Sequence, residues 1–327
     1  MKSIKKIGVF TSGGDSPGMN AAIRAVVRSS FYYGIEVSGI YRGYEGMIEG
    51  DICDEMDVRS VNQILQRGGT MLKSARSKEF MTKEGRAKAY EQIKKCGIDA
   101  LVAIGGNGTF TGAKIFSEEY GIPIVGLPGT IDNDLHGTDF TIGFDTANNT
   151  VIESVDRIRN TAQSHNRLFF VEVMGRDSGY IAAYTGLASG AMKILIPERE
   201  SSLDGLIERL EKGRKNNKSS SIVIVSEGNK WGDASDIAKQ LKEKVDYYDS
   251  KVTILGHVQR GGIPSCFDRV LASRLGVAAV EGLLNGKSDV MIGITKNDIS
   301  YTTFADAIKI KDVVDNEILR VADILSI

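Results

Sequence analysis

The 327-residue chain is long enough for about two ordinary domains, and its 41 basic and 42 acidic residues leave a formal net charge of −1, no field to draw nucleic acid or a membrane surface. Three cysteines, Cys53, Cys96 and Cys266, are too few and wrongly spaced for a disulfide framework or a metal site and read as reduced thiols. No apolar run nears the roughly 18 residues of a membrane span, and the opening MKSIKKIGVFTSGGD has no signal-peptide core, so a cytoplasmic protein is expected.

In chain order, residues 7–10 read as a short strand, 19–30 as an alanine-rich helix and 37–41 as a second strand. A helix over 87–95 leads into 100–104, a continuous apolar run of the kind buried on both faces of a sheet. Further strands are predicted at 122–127, 168–173, 194–196, 222–225 and 252–255, with helices over 148–162, 203–213 and 268–284. Strands alternating with helices predict parallel sheets covered on both sides. Residues 212–221, KGRKNNKSSS, are the most loop-like stretch and too short to separate domains.

Ligands of open α/β sheets bind outside the carboxyl ends of the strands, so the loops there carry the chemistry. The first strand ends in TSGGDSPGMN at 11–20, a tight turn whose following helix offers free N–H groups to an anion. The lysine-containing P-loop pattern is absent. The strand at 100–104 ends in GGNGTF and the next in PGTIDND. Asp132 and Asp134, two apart, would face one side of an extended loop, one accepting a proton and the other organising metal and water. Isolated, such a triplet more often caps a helix. Arg157, Arg159 and Arg167 precede the EVMGR segment at 172–176, and GHVQRGG at 256–262 is followed by Asp268 and Arg269. Most arginines are solvated surface charges, but those beside glycines at strand ends suit bidentate phosphate binding.

Taken in this order, TSGGDSPGMNAAIR, QRGGT, SAR, PGTIDND, SHNR, EVMGR, GHVQRGG and DRVLASR resemble the bacterial ATP-dependent 6-phosphofructokinases over essentially the whole chain. The resemblance implies two Rossmann-like three-layer α/β domains with mainly parallel sheets and an active site in the cleft between them. The larger, ATP-binding domain would comprise 1–143 and 267–310; the smaller, fructose 6-phosphate-binding domain would comprise 144–266 and 311–327. Asp132 would be the base toward the sugar 1-hydroxyl, with Thr130, Asp134 and Gly14 beside it, and Arg176 would stabilise the transferring phosphoryl group. Gly14, Tyr44, Arg76, Ser77, Gly106, Asn107, Gly108 and Thr109 would hold ATP. Met174, Gly175 and Glu227 would contact the sugar together with Thr130, Asp132 and Arg176, while Arg167, Arg260 and Arg269 would grip its 6-phosphate. In this family some of those arginines come from a neighbouring subunit, which implies a homotetramer with shared sites. The effector site, for ADP or phosphoenolpyruvate, would be lined by Arg24, Arg28, Arg159 and Lys218.

The chain departs from this pattern in three places. The aspartate that helps hold Mg2+ is Asn107, an amide without charge, so weaker magnesium binding is expected, and the Asn107–Gly108 dipeptide is open to deamidation. The effector-site glutamate is Met192, which cannot ligate magnesium. One effector-site arginine is Val58, with Arg59 one place away. Pyrophosphate-using relatives carry an aspartate and a lysine where this chain has Gly108 and Gly129, and a glycine leaves room for the α-phosphate of ATP. The alternatives are a pyrophosphate-dependent phosphofructokinase and a weakly active or regulatory nucleotide-binding protein. His136, His257, Trp231 and Cys266 need no catalytic role.

Overall fold

The computed structural model describes residues 4–53, 55–165, 167–199, 202–215, 221–245, 247–309 and 316–326. Along the chain the elements are β1 (Lys6–Thr11), α1 (Met19–Tyr32), β2 (Glu36–Ile40), α2 (Gly43–Glu49), β3 (Ile52–Cys53), α3 (Lys83–Lys95), β4 (Ala100–Gly105), α4 (Asn107–Tyr120) and β5 (Ile124–Pro128). There follow α5 (Phe144–His165), β6 (Arg167–Val173), α6 (Tyr180–Ala188), β7 (Lys193–Leu195), α7 (Leu203–Lys215), β8 (Ser221–Ser226), α8 (Ala234–Lys244) and β9 (Asp249–Ile254). Last come α9 (Cys266–Leu284), β10 (Val290–Thr295), β11 (Asp298–Thr303), α10 (Phe304–Ala307) and α11 (Asn316–Leu325). No described helix is long and apolar enough to cross a membrane.

Two units result, each built from separate chain segments: Met1–Ile131, Leu135–Thr146 and Arg260–Lys311 in the first, Asp132–Asp134, Ala147–Gln259 and Asp312–Ile327 in the second. The Asp132–Asp134 segment groups with the second unit and the stretch from Arg260 with the first. Ser265 caps α9, its hydroxyl accepting from the Asp268 N–H at 3.2 Å, and α9 packs along α1.

The first unit holds a seven-stranded sheet in the order β11-β10-β5-β4-β1-β2-β3. Its interior pairs, β2 with β1, β1 with β4, β4 with β5 and β5 with β10, are parallel, while β3 and β11 close the edges antiparallel. Alternation along the strands sorts the core into two layers. On one face Val9, Val102, Ile104 and Leu127 pack with Ile23 and Val26 of α1 and Leu275 and Ala279 of α9. On the other, Phe10, Leu101 and Ala103 pack with Ile93 of α3 and Phe110 and Phe116 of α4. Phe110 and Phe116 are fully buried, and truncating either to alanine would cost about 3–5 kcal/mol.

The second unit holds a parallel four-stranded sheet, β7-β8-β6-β9. Leu168, Phe170, Val223 and Val225 meet Leu206 and Leu210 of α7 and Ile237 and Leu241 of α8 on one face, and α6 lies against β7 and β8. Both ends of the loop expected at 212–221 lie in regular structure, and residues 216–220 lie outside the described residues. Lys212, Arg214 and Lys215 form the last turn of α7, where positive side chains complement the helix dipole, and Ser221 already begins β8.

Candidate active site

In the first unit the switch in strand order falls between β1 and β4, with β2 to one side and β5 to the other. The register pairs Thr11 with Ile104 and Gly105 with Pro128, so the loops that leave β1, β4 and β5 emerge side by side. A dense set of hydrogen bonds fixes the first of them. The Thr11 hydroxyl donates to the Lys73 carbonyl at 2.7 Å and Ser74 Oγ to the Gly13 carbonyl at 2.6 Å. Thr109 Oγ1 donates to the Ser12 carbonyl at 3.1 Å, tying the second loop to the first. Asn20, nearly fully buried, donates to the Arg67 carbonyl at 3.1 Å and accepts from the Met71 N–H at 2.7 Å. Sequence reading missed Asn20, whose signal was a polar residue inside an otherwise apolar helix face.

The predicted nucleotide residues fall on these loops with two roles. Asn107 and Gly108 open α4 behind Gly106, where the positive end of the helix favours phosphate oxygens. Tyr44, by contrast, is buried beneath the loop. Its ring stacks on Phe80 with centroids 3.9 Å apart, and its hydroxyl donates to the Thr109 carbonyl at 2.6 Å. Burial pushes the phenol far above its ordinary pKa, so it stays a donor. Ser77 Oγ accepts from the Phe80 N–H at 3.2 Å, and Arg76 is exposed.

Another side chain lies over Gly14: an added Cβ would come 2.6 Å from Arg260 Nη1, the far end of a flexible side chain. Arg260 also donates to the Asp15 carbonyl at 3.2 Å. Arg269 donates through Nε to the Pro264 carbonyl at 2.8 Å. Both arginines belong to the first unit, as does Thr130, whose carbonyl accepts from Thr141 Oγ1 at 2.6 Å. Asp268, missed as a site residue, is fully buried and accepts from the Gly143 N–H (2.8 Å), the Thr146 N–H (2.8 Å) and Thr146 Oγ1 (2.5 Å). Burial raises its pKa to about 6 against those three donors.

The second unit gathers Asp132, Asp134, Arg167, Met174, Gly175, Arg176 and Glu227. The expectation that Asp132 and Asp134 share one side of an extended loop is corrected, because Asn133 between them adopts a left-handed backbone, φ 51°. Asparagine tolerates that conformation, and it breaks the two-residue alternation. Asp132 is 5% exposed, and its carbonyl accepts from Ser178 Oγ at 3.1 Å. The turn that follows β6 is equally constrained. Gly175 has φ 141°, and a Cβ there would meet the Ser178 carbonyl at 2.3 Å. Arg176 is left-handed as well, φ 54°, a strained geometry of the kind concentrated at functional sites, and its exposed side chain stands at the turn. Gln259 accepts the Met174 N–H at 3.2 Å and Glu227 accepts the Arg176 N–H at 3.4 Å. Arg167 pairs with Asp249 at 2.8 Å, and Lys251 and Arg167 together hold that carboxyl below its ordinary pKa.

The predicted effector residues are divided. Arg24 and Arg28 lie one turn apart on α1, where burial and then the neighbouring Arg28 lower the Arg24 pKa. Arg59 belongs to the same unit, whereas Arg159 in the second donates to the Ser189 carbonyl. Met192 is buried in the apolar cluster of the second unit, and Lys218 lies outside the described residues.

The sequence pattern of the phosphofructokinase family matches residues 6–283. The chain is 56% identical to the ATP-dependent 6-phosphofructokinase of Cytophaga hutchinsonii, covering 99% of this chain and 98% of that one. It is 53% identical to the ATP-dependent 6-phosphofructokinase 1 of Thermus thermophilus, covering 99% and 100%. Among solved structures it is similar to a phosphofructokinase of Saccharomyces cerevisiae, with a TM-score of 0.90 and 40% identity over 99% of this chain and 48% of that chain.

Proposed function

The chain belongs to the phosphofructokinase family, and on that premise we propose that it transfers the γ-phosphoryl group of ATP to the 1-hydroxyl of fructose 6-phosphate, forming ADP and fructose 1,6-bisphosphate. The observation that carries this reading is the register of β1, β4 and β5, which sets three glycine-bearing loops side by side at the strand ends of the first unit, the arrangement an extended polyphosphate requires. Near-full-length relatives named ATP-dependent 6-phosphofructokinase support the same donor. Gly108 leaves open space where pyrophosphate-using relatives carry a carboxylate.

Residue by residue, the reaction assigns Asp132 to take the proton of the attacking hydroxyl as its oxygen bonds to phosphorus and the bond to the departing ADP oxygen breaks. Near-complete burial of Asp132 would keep competing water from its carboxylate. Arg176 would neutralise charge on the phosphoryl oxygens, and the turn beneath it is held by Gln259 and Glu227. Arg167 would exchange Asp249 for the sugar 6-phosphate. Magnesium would arrive on the nucleotide, since the loop offers an amide and backbone N–H groups, a donor set suited to phosphate oxygens and an ion they carry.

The homotetramer implied by the resemblance is supported by β9, an outer strand whose Val252 and Ile254 are exposed, with Val258 beyond it. An anionic effector, ADP or phosphoenolpyruvate, would be met by Arg24, Arg28, Arg59 and Arg159, the arginines that the resemblance assigns to it. The test is an assay with fructose 6-phosphate and magnesium, with ATP in one series and pyrophosphate in the other. Bisphosphate formed with ATP alone is the expected result. Product with pyrophosphate alone, or with neither donor, overturns the reading.

A further inference from the structure

Arg86 and Glu119 stand on α3 and α4 and touch none of the residues assigned above to substrates. Arg86 is only 8% exposed, and it spends four N–H groups at once. Nε and Nη2 grip the two Glu119 oxygens at 2.6 and 2.7 Å, and Nη1 donates to the carbonyls of Phe80 and Met81 at 3.1 and 2.9 Å. The single turn that follows Ser77 is thereby fastened to α4. Two links run from that turn into the nucleotide loops. The Phe80 N–H donates to Ser77 Oγ, and the Phe80 ring stacks on Tyr44, whose hydroxyl holds the Thr109 carbonyl.

We propose that Arg86 and Glu119 are positioning residues for the nucleotide: their bidentate pair clamps the 79–81 turn and so sets both Ser77 and the 106–109 loop. This rests on the reading that those two segments receive ATP. Only a planar guanidinium reaches both carboxylate oxygens and both carbonyls together, so lysine is no substitute here. A pair serving fold stability alone would weaken every substrate equally, or none. A pair serving the loop weakens the nucleotide selectively.

The experiment compares wild type with Glu119→Gln, Arg86→Lys and the double variant, measuring KM for ATP, KM for fructose 6-phosphate, kcat and thermal unfolding. Binding of a non-hydrolysable ATP analogue is measured by calorimetry on the same proteins. Each single variant is expected to raise KM for ATP and the analogue's Kd about five- to tenfold, the loss typical of one ordinary hydrogen bond. The double variant should be no worse than the poorer single one, with kcat and KM for fructose 6-phosphate within about twofold of wild type. Unchanged analogue binding in a folded Glu119→Gln protein overturns the proposal, as does a parallel loss for both substrates. Should Arg86→Lys fail to fold, Glu119→Gln alone decides. A wild type that binds the analogue but phosphorylates no sugar would sink the proposed reaction, and the binding series would still judge the clamp.

Discussion

The hydroxyl of Ser178 donates to the carbonyl oxygen of Asp132 at 3.1 Å, and the Ser178 carbonyl in turn accepts from Ser226 Oγ at 3.2 Å. The carboxylate proposed as the base is thus carried on backbone anchored to the end of β8, within one unit. Its position survives a change of side-chain charge, which makes the carboxylate testable apart from the fold.

Asp132→Asn keeps that backbone anchor and nearly the same volume but cannot take a proton. We expect kcat to fall by about a thousandfold, with the unfolding temperature and nucleotide affinity close to wild type. A residual rate above a tenth of wild type would remove Asp132 from the role of base.

Asn107→Asp restores a charge in the first turn of α4, where the helix dipole favours it. The concentration of magnesium for half-maximal rate should fall by about tenfold, and stability should rise by about 0.5 kcal/mol. Equal magnesium requirements in the two proteins would show that Asn107 plays no part in ion binding.

Gly108 and Gly129 respond differently to the residues found in pyrophosphate-using relatives. A Cβ at Gly108 meets nothing within 4 Å, whereas one at Gly129 lies 3.0 Å from Ile104 Cγ2 and from Met19 Cε. Gly108→Asp should therefore fold normally and raise KM for ATP about tenfold by repelling the nucleotide's phosphates. Gly129→Lys should lose about 1–3 kcal/mol through overpacking. Thermal unfolding and ATP titration of both variants check this contrast, which fails if Gly108→Asp is the less stable of the two.

Asp268 gives stability a pH dependence of definite sign. Its folded pKa, about 6, lies above the ordinary 3.8, so the fold favours the protonated acid. That contribution is complete below about pH 4 and is lost as the pH climbs through 6, by up to about 3 kcal/mol. Denaturant unfolding between pH 4 and 7 should show a decline that Asp268→Asn reduces. Identical slopes in the two proteins would refute the assignment.

What the sequence made legible follows from how local each signal is. Strand β4 declared itself because a strand buried on both faces is apolar throughout, as Leu101 and Val102 show. The glycine loops were readable for a similar reason, since tight turns select glycine. Edge strand β11, with residues half in water, and seven-residue α2 carried no pattern strong enough to be noticed. The left-handed Asn133 was hidden because the two-residue rule presumes extended backbone. The burial of Tyr44 and the pairing of Arg86 with Glu119 depend on residues brought together across elements, for which single-chain periodicity has no term.

The pairing of β5 with β10, Val125 beside Val290, has a consequence for biosynthesis. Strands β1, β4 and β5 leave the ribosome early, yet α9 and β10, which cover and extend their sheet, are translated only after almost the whole second unit. Until then the apolar layer around Val9, Val102 and Leu127 lacks its α9 cover. Such sequence-distant closure slows folding and prolongs exposure to aggregation. The part of the chain that starts first on the ribosome is therefore the part whose core is sealed late.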